Sequence, residues 1–164
     1  MIEIRCTEIS DLGEVMSIYG YAREFMRSVG NETQWIDGYP SEELIRREIE
    51  ENHSWVCIND CGEIVGTFCF ILGEDPTYAK IYDGEWLNNE PYGVIHRMGT
   101  NGKQKGIAEA CLNWCFSRCK NIRVDTHRDN LVMQNILKKH GFVTCGTIFV
   151  ANGTERIAFQ RSSL

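Results

Sequence analysis

A chain of 164 residues with 43% hydrophobic and 24% charged residues carries the material of one globular domain, able to bury about two thirds of its unfolded surface. A formal charge of −6 excludes the cationic field on which general nucleic-acid or anionic-membrane binding draws. No apolar run approaches the roughly 18 residues of a membrane span, and "MIEIRCTEIS" lacks the charged start, apolar centre and small-residue cleavage site of a signal peptide, so a single cytoplasmic domain over residues 1–164 is expected.

In chain order, Ile2 to Thr7 alternates apolar and polar residues as a half-buried strand does, and Ser10 offers an N-cap to a helix running to about Ser28. "GNETQWIDGYP" reads as a loop, and Ser41 precedes a second helix that carries Glu43 and Glu48 and ends near Asn52. "SWVCIN" and "EIVGTFCFIL", split by "DCG", read as an antiparallel hairpin. "GEDPTYAKIYDGEWLNNEP" has no period. A loop of that length in a small domain is functional or disordered as a rule, and its aromatics argue against plain disorder. "GVIHRMGT" then reads as a strand, "NGKQKGIAEACLNWCF" as a glycine-rich loop entering a helix, and "NIRVDTH" as a strand parallel to the first. Asn130 caps a helix whose Val132, Ile136 and Leu137 are expected to face the core, and Gly141 stands where a helix-ending glycine belongs. "CGTIFV" and "RIAFQ" flank the hairpin signal "ANGT". The expected fold is α/β of the mixed kind, a mostly antiparallel sheet of about seven strands with one parallel βαβ crossover and about four helices.

Eight cysteines raise a metal or disulfide reading. Cys111, Cys115 and Cys119 recur every fourth residue on one helix face, the spacing of a packed stripe, and form no CxxC pair. His53, Cys57 and Cys61 straddle a strand and turn, so they are not expected to converge on a metal, and no metal site is expected.

A glycine-rich entry to a helix is a natural phosphate cradle, because the first helical N–H groups are unpaired and carry partial positive charge. Lys103 and Lys105 add formal charge, and Gly106 permits close approach of a ligand; a solvated lysine pair at a helix start is the alternative. A P-loop is excluded because Gln104 follows Lys103 where a hydroxyl residue is needed, and a dinucleotide fold is excluded by the spacing of Gly99, Gly102 and Gly106. "KQKGIA" instead resembles the R/Q-x-x-G-x-G/A pyrophosphate signature of the GNAT acetyltransferase superfamily, with Lys103 in place of Arg or Gln and Ala108 as the small residue. "VIHRMGT" looks like that family's fourth strand, and "NLVMQNILKKHGF" resembles its segment from a helix-starting Asn to Gly-Phe. The order of elements agrees over nearly the whole chain.

The resemblance implies one acyl-CoA N-acyltransferase domain that uses acetyl-CoA as cosubstrate in a gap where the fourth and fifth strands splay. Backbone groups of Met98, Gly99 and Thr100 are then expected along the pantetheine arm, and Lys103, Gln104, Lys105, Gly106, Ile107 and Ala108 around the pyrophosphate. Asn130 is expected as a further cofactor contact or a plain N-cap. Many relatives place an acidic tyrosine seven residues after that Asn, where this chain has Leu137.

Acetyl transfer to an amine needs a neutral nitrogen, a polarised carbonyl and a proton for the thiolate. His96, on the strand flanking the acetyl group, is the candidate base, against a structural histidine as the alternative. His127 is a candidate to bind or orient a ligand, Asp125 is expected to fix a neighbouring loop, and Arg97 to sit in a salt bridge. Trp35, Tyr39, Tyr78, Tyr82 and Trp86 are candidates for an aromatic acceptor site. The expected partner is a small-molecule or peptide amine, with no nucleic acid and no membrane, and a homodimer is left open. The competing reading is a non-catalytic acyl-CoA-binding regulatory domain, supported by Leu137.

Overall fold

The computed structural model describes residues 1–164. Seven strands, β1 (Glu3–Cys6), β2 (Ser54–Ile58), β3 (Ile64–Leu72), β4 (Gly93–Thr100), β5 (Asn121–Thr126), β6 (Val143–Phe149) and β7 (Glu155–Ser162), form one sheet in the order β1-β2-β3-β4-β5-β7-β6. It is mostly antiparallel with one parallel pair, β4 and β5. Four α-helices accompany it: α1 (Leu12–Ser28), α2 (Glu42–Glu50), α3 (Ile107–Arg118) and α4 (Leu131–Lys139). The expected fold class is therefore observed, and no helix is long and apolar enough to cross a membrane. Packing divides the chain into two units, Met1–Phe70 with Arg97–Trp114, and Ile71–His96 with Cys115–Leu164.

In the first unit, Leu12, Val15, Ile18, Tyr19 and Ala22 recur at helical spacing on α1 and bury against Trp35, Ile45 and Ile49 of the α2 region and Val56 and Ile64 of the sheet. The approach is close: a Cβ at Gly99 would meet Ala22 at 3.3 Å and Tyr19 at 3.5 Å. Cys111 of α3 is fully buried with its Sγ 3.3 Å from that of Cys57, while Cys61 is exposed, so Cys57 and Cys61 serve a core and a turn. Ser41 caps α2 as expected, its Oγ accepting from Leu44 N–H at 3.1 Å. Ser10 does not cap α1. It lies inside a 3₁₀ turn over Ile9–Asp11, which the Asp11 carboxylate fixes by taking the Glu8 N–H at 2.8 Å and the Arg5 guanidinium at 2.8 Å.

In the second unit, β5, β7 and β6 form an antiparallel ladder. Helix α4 is capped by Asn130, whose Oδ1 accepts from Met133 N–H, and ends at Gly141 with φ +85°. The Gly141 and Phe142 amides bond back to Lys138 and Leu137 carbonyls, a left-handed glycine stop. Leu137 is fully buried, but Val132 is exposed, correcting its expected core position: it precedes the buried stripe by more than one turn.

A buried ion pair holds α2 to β4 within the first unit. Arg97, the one residue of β4 in the left-handed region (φ +48°), donates from Nη2 to Glu48 Oε2 and from Nη1 to Tyr39 Oη at 2.8 Å. Cys69 Sγ also lies 3.3 Å from Glu48 Oε2. Burial pushes the Arg97 pKa down, but Glu48 together with Tyr39, Cys69 and Tyr19 outweighs it and the net direction is up. Left-handed backbone costs a side-chain-bearing residue about 1–2 kcal/mol, which the pair with Glu48 offsets. Glu48→Ala leaves the guanidinium buried without its counter-charge and is expected to cost about 3–5 kcal/mol in urea unfolding. A loss near zero would show that the pair is dispensable.

Candidate active site

Two constructions stand out, one in each unit. In the first unit the segment Asn101–Gly106 is shaped by Asn101. Its backbone N–H donates to Val65 O at 3.2 Å, its Nδ2 to Ile64 O at 3.3 Å, and its Oδ1 accepts from Lys103 N–H at 3.1 Å. Gly102 (φ +74°) lies against the Tyr21 hydroxyl, where any side chain would overlap it. Gly106 (φ +82°) faces open space. The Ala110 N–H bonds to Gly106 O, so the preceding amides of α3 are the unpaired N–H groups every helix start presents. Lys103 is mostly exposed and sits 3.6 Å from Glu63.

In the second unit the long segment Gly73–Tyr92 is ordered by polar residues of β5 and β7. Alternation along β5 puts Asn121, Arg123 and Asp125 on one face and Ile122 and Val124 on the other. Asp125 Oδ2 accepts from Tyr78 Oη at 2.7 Å, Arg123 Nη2 donates to Asn88 O at 2.8 Å, and Asn121 Nδ2 donates to Asn88 Oδ1 at 2.9 Å. Gln160 of β7 accepts the Leu87 N–H at 2.9 Å. Trp86 Nε1 donates to Tyr78 O at 3.0 Å.

Beneath this segment lies a cavity of about 600 Å³ lined by Glu74, Asp75, Tyr78, Trp86, Tyr92 and Arg123 among others. The Arg123 guanidinium is set 4.2 Å from the Trp86 ring centroid and 4.0 Å from that of Tyr92, and burial pushes its pKa down. Asp75 is tied on three sides. Its Oδ1 accepts from Thr77 N–H and Oγ1, its own N–H donates to Tyr92 Oη at 2.9 Å, and its Oδ2 lies 3.1 Å from His96 Nε2. Burial pushes the Asp75 carboxyl up, but the hydrogen bonds from His96 and Thr77 win and hold it down at about 2. The parallel register of β4 with β5 comprises Gly93 with Ile122 and Val94 with Arg123, so His96 lies beyond the paired segment.

A sequence model of the acetyltransferase (GNAT) family matches residues 18–142. The chain belongs to the GNAT family. Among solved structures, a GNAT-family acetyltransferase from Streptococcus agalactiae is 30% identical, with a TM-score of 0.90 over 99% of this chain and 96% of that one. A GNAT-family acetyltransferase from Listeria monocytogenes, 15% identical, gives a TM-score of 0.73 over 98% of this chain and 94% of that one. The NatC complex, solved with a Gag peptide and CoA, gives a TM-score of 0.62 at 12% identity over 99% of both chains. The last two likenesses show the fold alone. Among curated proteins none matches. As a GNAT acetyltransferase, the protein uses acetyl-CoA as its cosubstrate.

In this GNAT acetyltransferase the sequence-predicted residues separate into distinct settings. Met98, Gly99 and Thr100 close β4, and Lys103 to Ala108 form the loop after it and the first turn of α3 in the first unit. Asn130 acts as the N-cap. His96 carries the Asp75 pair. Tyr78 and Trp86 line the cavity, their ring centroids 5.2 Å apart, with the Tyr78 hydroxyl committed to Asp125 as expected of a loop-fixing carboxylate. Trp35 is 6% exposed and packs edge-on to Tyr19 in the first unit's core. Tyr39 receives Arg97 there, and Tyr82, half-exposed, packs on Phe149 in the second unit. His127 Nδ1 accepts the Asp129 N–H at 3.0 Å and closes a turn, and burial pushes its pKa down.

Asp75, Tyr92 and Arg123 escaped the sequence reading. The signal for Arg123 was present in "NIRVDT": polar residues at alternate positions of a strand flanked by elements on both sides need covering partners.

The depressed Asp75 carboxyl sets a pH signature. A group held low when folded contributes stability that is complete above its unfolded value near 4 and disappears as pH falls toward about 2. The stability difference between wild type and Asp75→Asn, followed by urea titration, is expected to be present at pH 5 and to shrink as pH falls below about 4. A difference that persists undiminished at about pH 2 would contradict the pairing.

Proposed function

We propose that this acetyltransferase moves the acetyl group of acetyl-CoA to a primary amine of a small molecule or peptide, by direct attack in a ternary complex, with His96 as the base. The observation that carries the reading is the Asp75–His96 pair, in which Asp75 also lines the 600 Å³ cavity. With Asp75 on Nε2, the neutral imidazole keeps its proton on that nitrogen and presents the lone pair of Nδ1. Nδ1 takes the proton lost by the neutral amine as it attacks, directly or through an ordered water, and the imidazolium so formed returns that one proton to the departing sulfur, the ammonium form having first given its extra proton to solvent. One histidine thus balances both transfers. The family's usual tyrosine position offers no alternative acid, because Leu137 is wholly in the core.

When bound, acetyl-CoA supplies the acyl group as an activated thioester. The chain's cradle fits it. Gly106 opens to free space at positive φ, the first amides of α3 are available to a pyrophosphate, and Asn101 fixes the loop between them. Met98, Gly99 and Thr100 are the backbone groups we assign to the pantetheine arm, with Met98 N–H polarising the carbonyl. Lys103, Gln104, Lys105, Gly106, Ile107 and Ala108 are assigned to the pyrophosphate, and Asn130 keeps its cap while remaining a candidate contact. We read residues 1–164 as one acyltransferase domain, since the likeness to the Streptococcus agalactiae protein runs over 99% of the chain. Eight free thiols favour a reducing, cytoplasmic setting.

The buried Leu137 is also what a non-catalytic acyl-CoA-binding domain would tolerate. Calorimetric titration with acetyl-CoA, followed by thiol release over a broad amine panel, separates the two readings. Binding without release with any amine favours the regulatory one.

His96→Ala is expected to lower kcat by roughly 10² or more, with acetyl-CoA affinity kept within a few-fold, and to change the pH profile of the activity that remains. An intact kcat with an unchanged profile removes His96 from the mechanism. In the cradle, Gly106→Val is expected to eliminate acetyl-CoA binding in a protein that remains folded, since it fills the open space and resists positive φ. Lys103→Ala, by contrast, weakens binding modestly and in a salt-dependent way. Full affinity in folded Gly106→Val would sink the cradle assignment.

A further inference from the structure

Arg123 is only 4% exposed, yet no carboxylate pairs with it. The other well-shielded arginines of the chain each meet one, Arg97 at Glu48 and Arg156 at Asp125. Its Nη2 donates to a backbone carbonyl, Asn88 O, and its Nε has no partner. The Trp86 and Tyr92 ring centroids lie 4.2 Å and 4.0 Å from its Cζ. A buried guanidinium without a counter-charge is costly, and one packed against two rings has little freedom left to lose on bidentate contact with a planar anion. The same cavity wall carries Glu74 and Asp75. One cavity therefore presents an uncompensated cation and two carboxylates, one of which grips His96.

We propose that this cavity takes a zwitterionic amino carboxylate, such as a free amino acid, binding its carboxylate through Arg123 and its ammonium group beside Asp75. The proposal rests on the acetyl-transfer reading above and names the acceptor class for it. A volume of about 600 Å³ lies within the range of small-molecule sites. A polyamine satisfies the acidic wall but opposes Arg123, and the amino end of a protein chain brings no carboxylate to it.

The test compares the twenty common L-amino acids with their carboxamides, and with spermidine, as acceptors for acetyl-CoA in thiol release by the wild-type protein. At least one acid is expected to exceed its own amide by about tenfold or more in kcat/KM, because the amide leaves the arginine unpaired. In Arg123→Gln that preference is expected to fall to near one through a rise in KM for the acid, and Arg123→Lys, which keeps charge but loses the fork, to recover it only partly. Amides or spermidine turned over as well as the acids by wild type overturn the proposal, as does a preference that survives in folded Arg123→Gln. The wild-type comparison decides even where a variant fails to fold. Calorimetric titration of the acids into protein lacking acetyl-CoA separates the two readings. Binding of an acid, abolished in Arg123→Gln, with no thiol release strikes acetyl transfer and upholds the cavity's ligand class. Failure of every acid to bind or react, alongside release with another amine, strikes the ligand class alone.

Discussion

Alternation along β5 sets Asn121, Arg123 and Asp125 on one face of the sheet, and everything in the second unit follows from the need to cover them. Three polar side chains, two of them ionisable, cannot lie under an apolar helix without leaving unpaired polar groups. The chain answers with a long irregular segment that brings backbone groups instead. Asn88 supplies its carbonyl to Arg123 and its side chain to Asn121, and Tyr78 brings a hydroxyl to Asp125. Gln160 from β7 adds a further acceptor for Leu87. A segment of this length, free of helix and sheet apart from one short turn and an isolated bridge, is thereby fixed by side chains of the strands beneath it.

The first unit solves a different problem, the placement of a flat, donor-rich turn at the end of β4. Glycine at residue 99 lets α1 approach the strand, and Asn101 then anchors the next turn to the backbone of Ile64 and Val65. Side-chain charge has little part in this, since Lys103 spends its ammonium on the exposed Glu63. That accounts for a motif in which lysine stands where the family uses arginine or glutamine. Between these turns and His96, Arg97 breaks the strand's regular alternation with its left-handed backbone, held there by the buried Glu48.

The fold was legible because its signals are local. Ser41 and Gly141 cap and stop helices through contacts within a few residues, and the "GVIHRMGT" and "NIRVDTH" runs needed only their period and the helix between them. Ser10 misled because it falls inside the short turn that precedes α1, a turn fixed when the Asp11 carboxylate folds back onto the Glu8 N–H and takes Arg5 from β1. The candidate site was half legible. His96 stands out as a histidine on the strand before the cradle, but Asp75, twenty-one residues earlier in an aperiodic segment, has no spacing rule tying it to His96. The aromatics were equally undecidable one by one. Trp35 and Trp86 each precede an aliphatic residue in a glycine-flanked loop, yet one fills a core and the other walls a cavity.

Asp75 concentrates the site's geometry in a single carboxyl group. Its Oδ1 closes the short turn at Pro76–Tyr78, its Oδ2 orients His96, and its amide is held by the Tyr92 hydroxyl whose ring covers Arg123. The imidazole therefore inherits its orientation and tautomer from the fold of the Gly73–Tyr92 segment rather than from β4 itself. Because Tyr92 both donates position to Asp75 and shields the arginine, the basic and acidic walls of the cavity are set by one hydrogen-bonded unit. A displacement at either end must be felt at the other, so the His96 imidazole and the Arg123 guanidinium are held in register by the same few contacts.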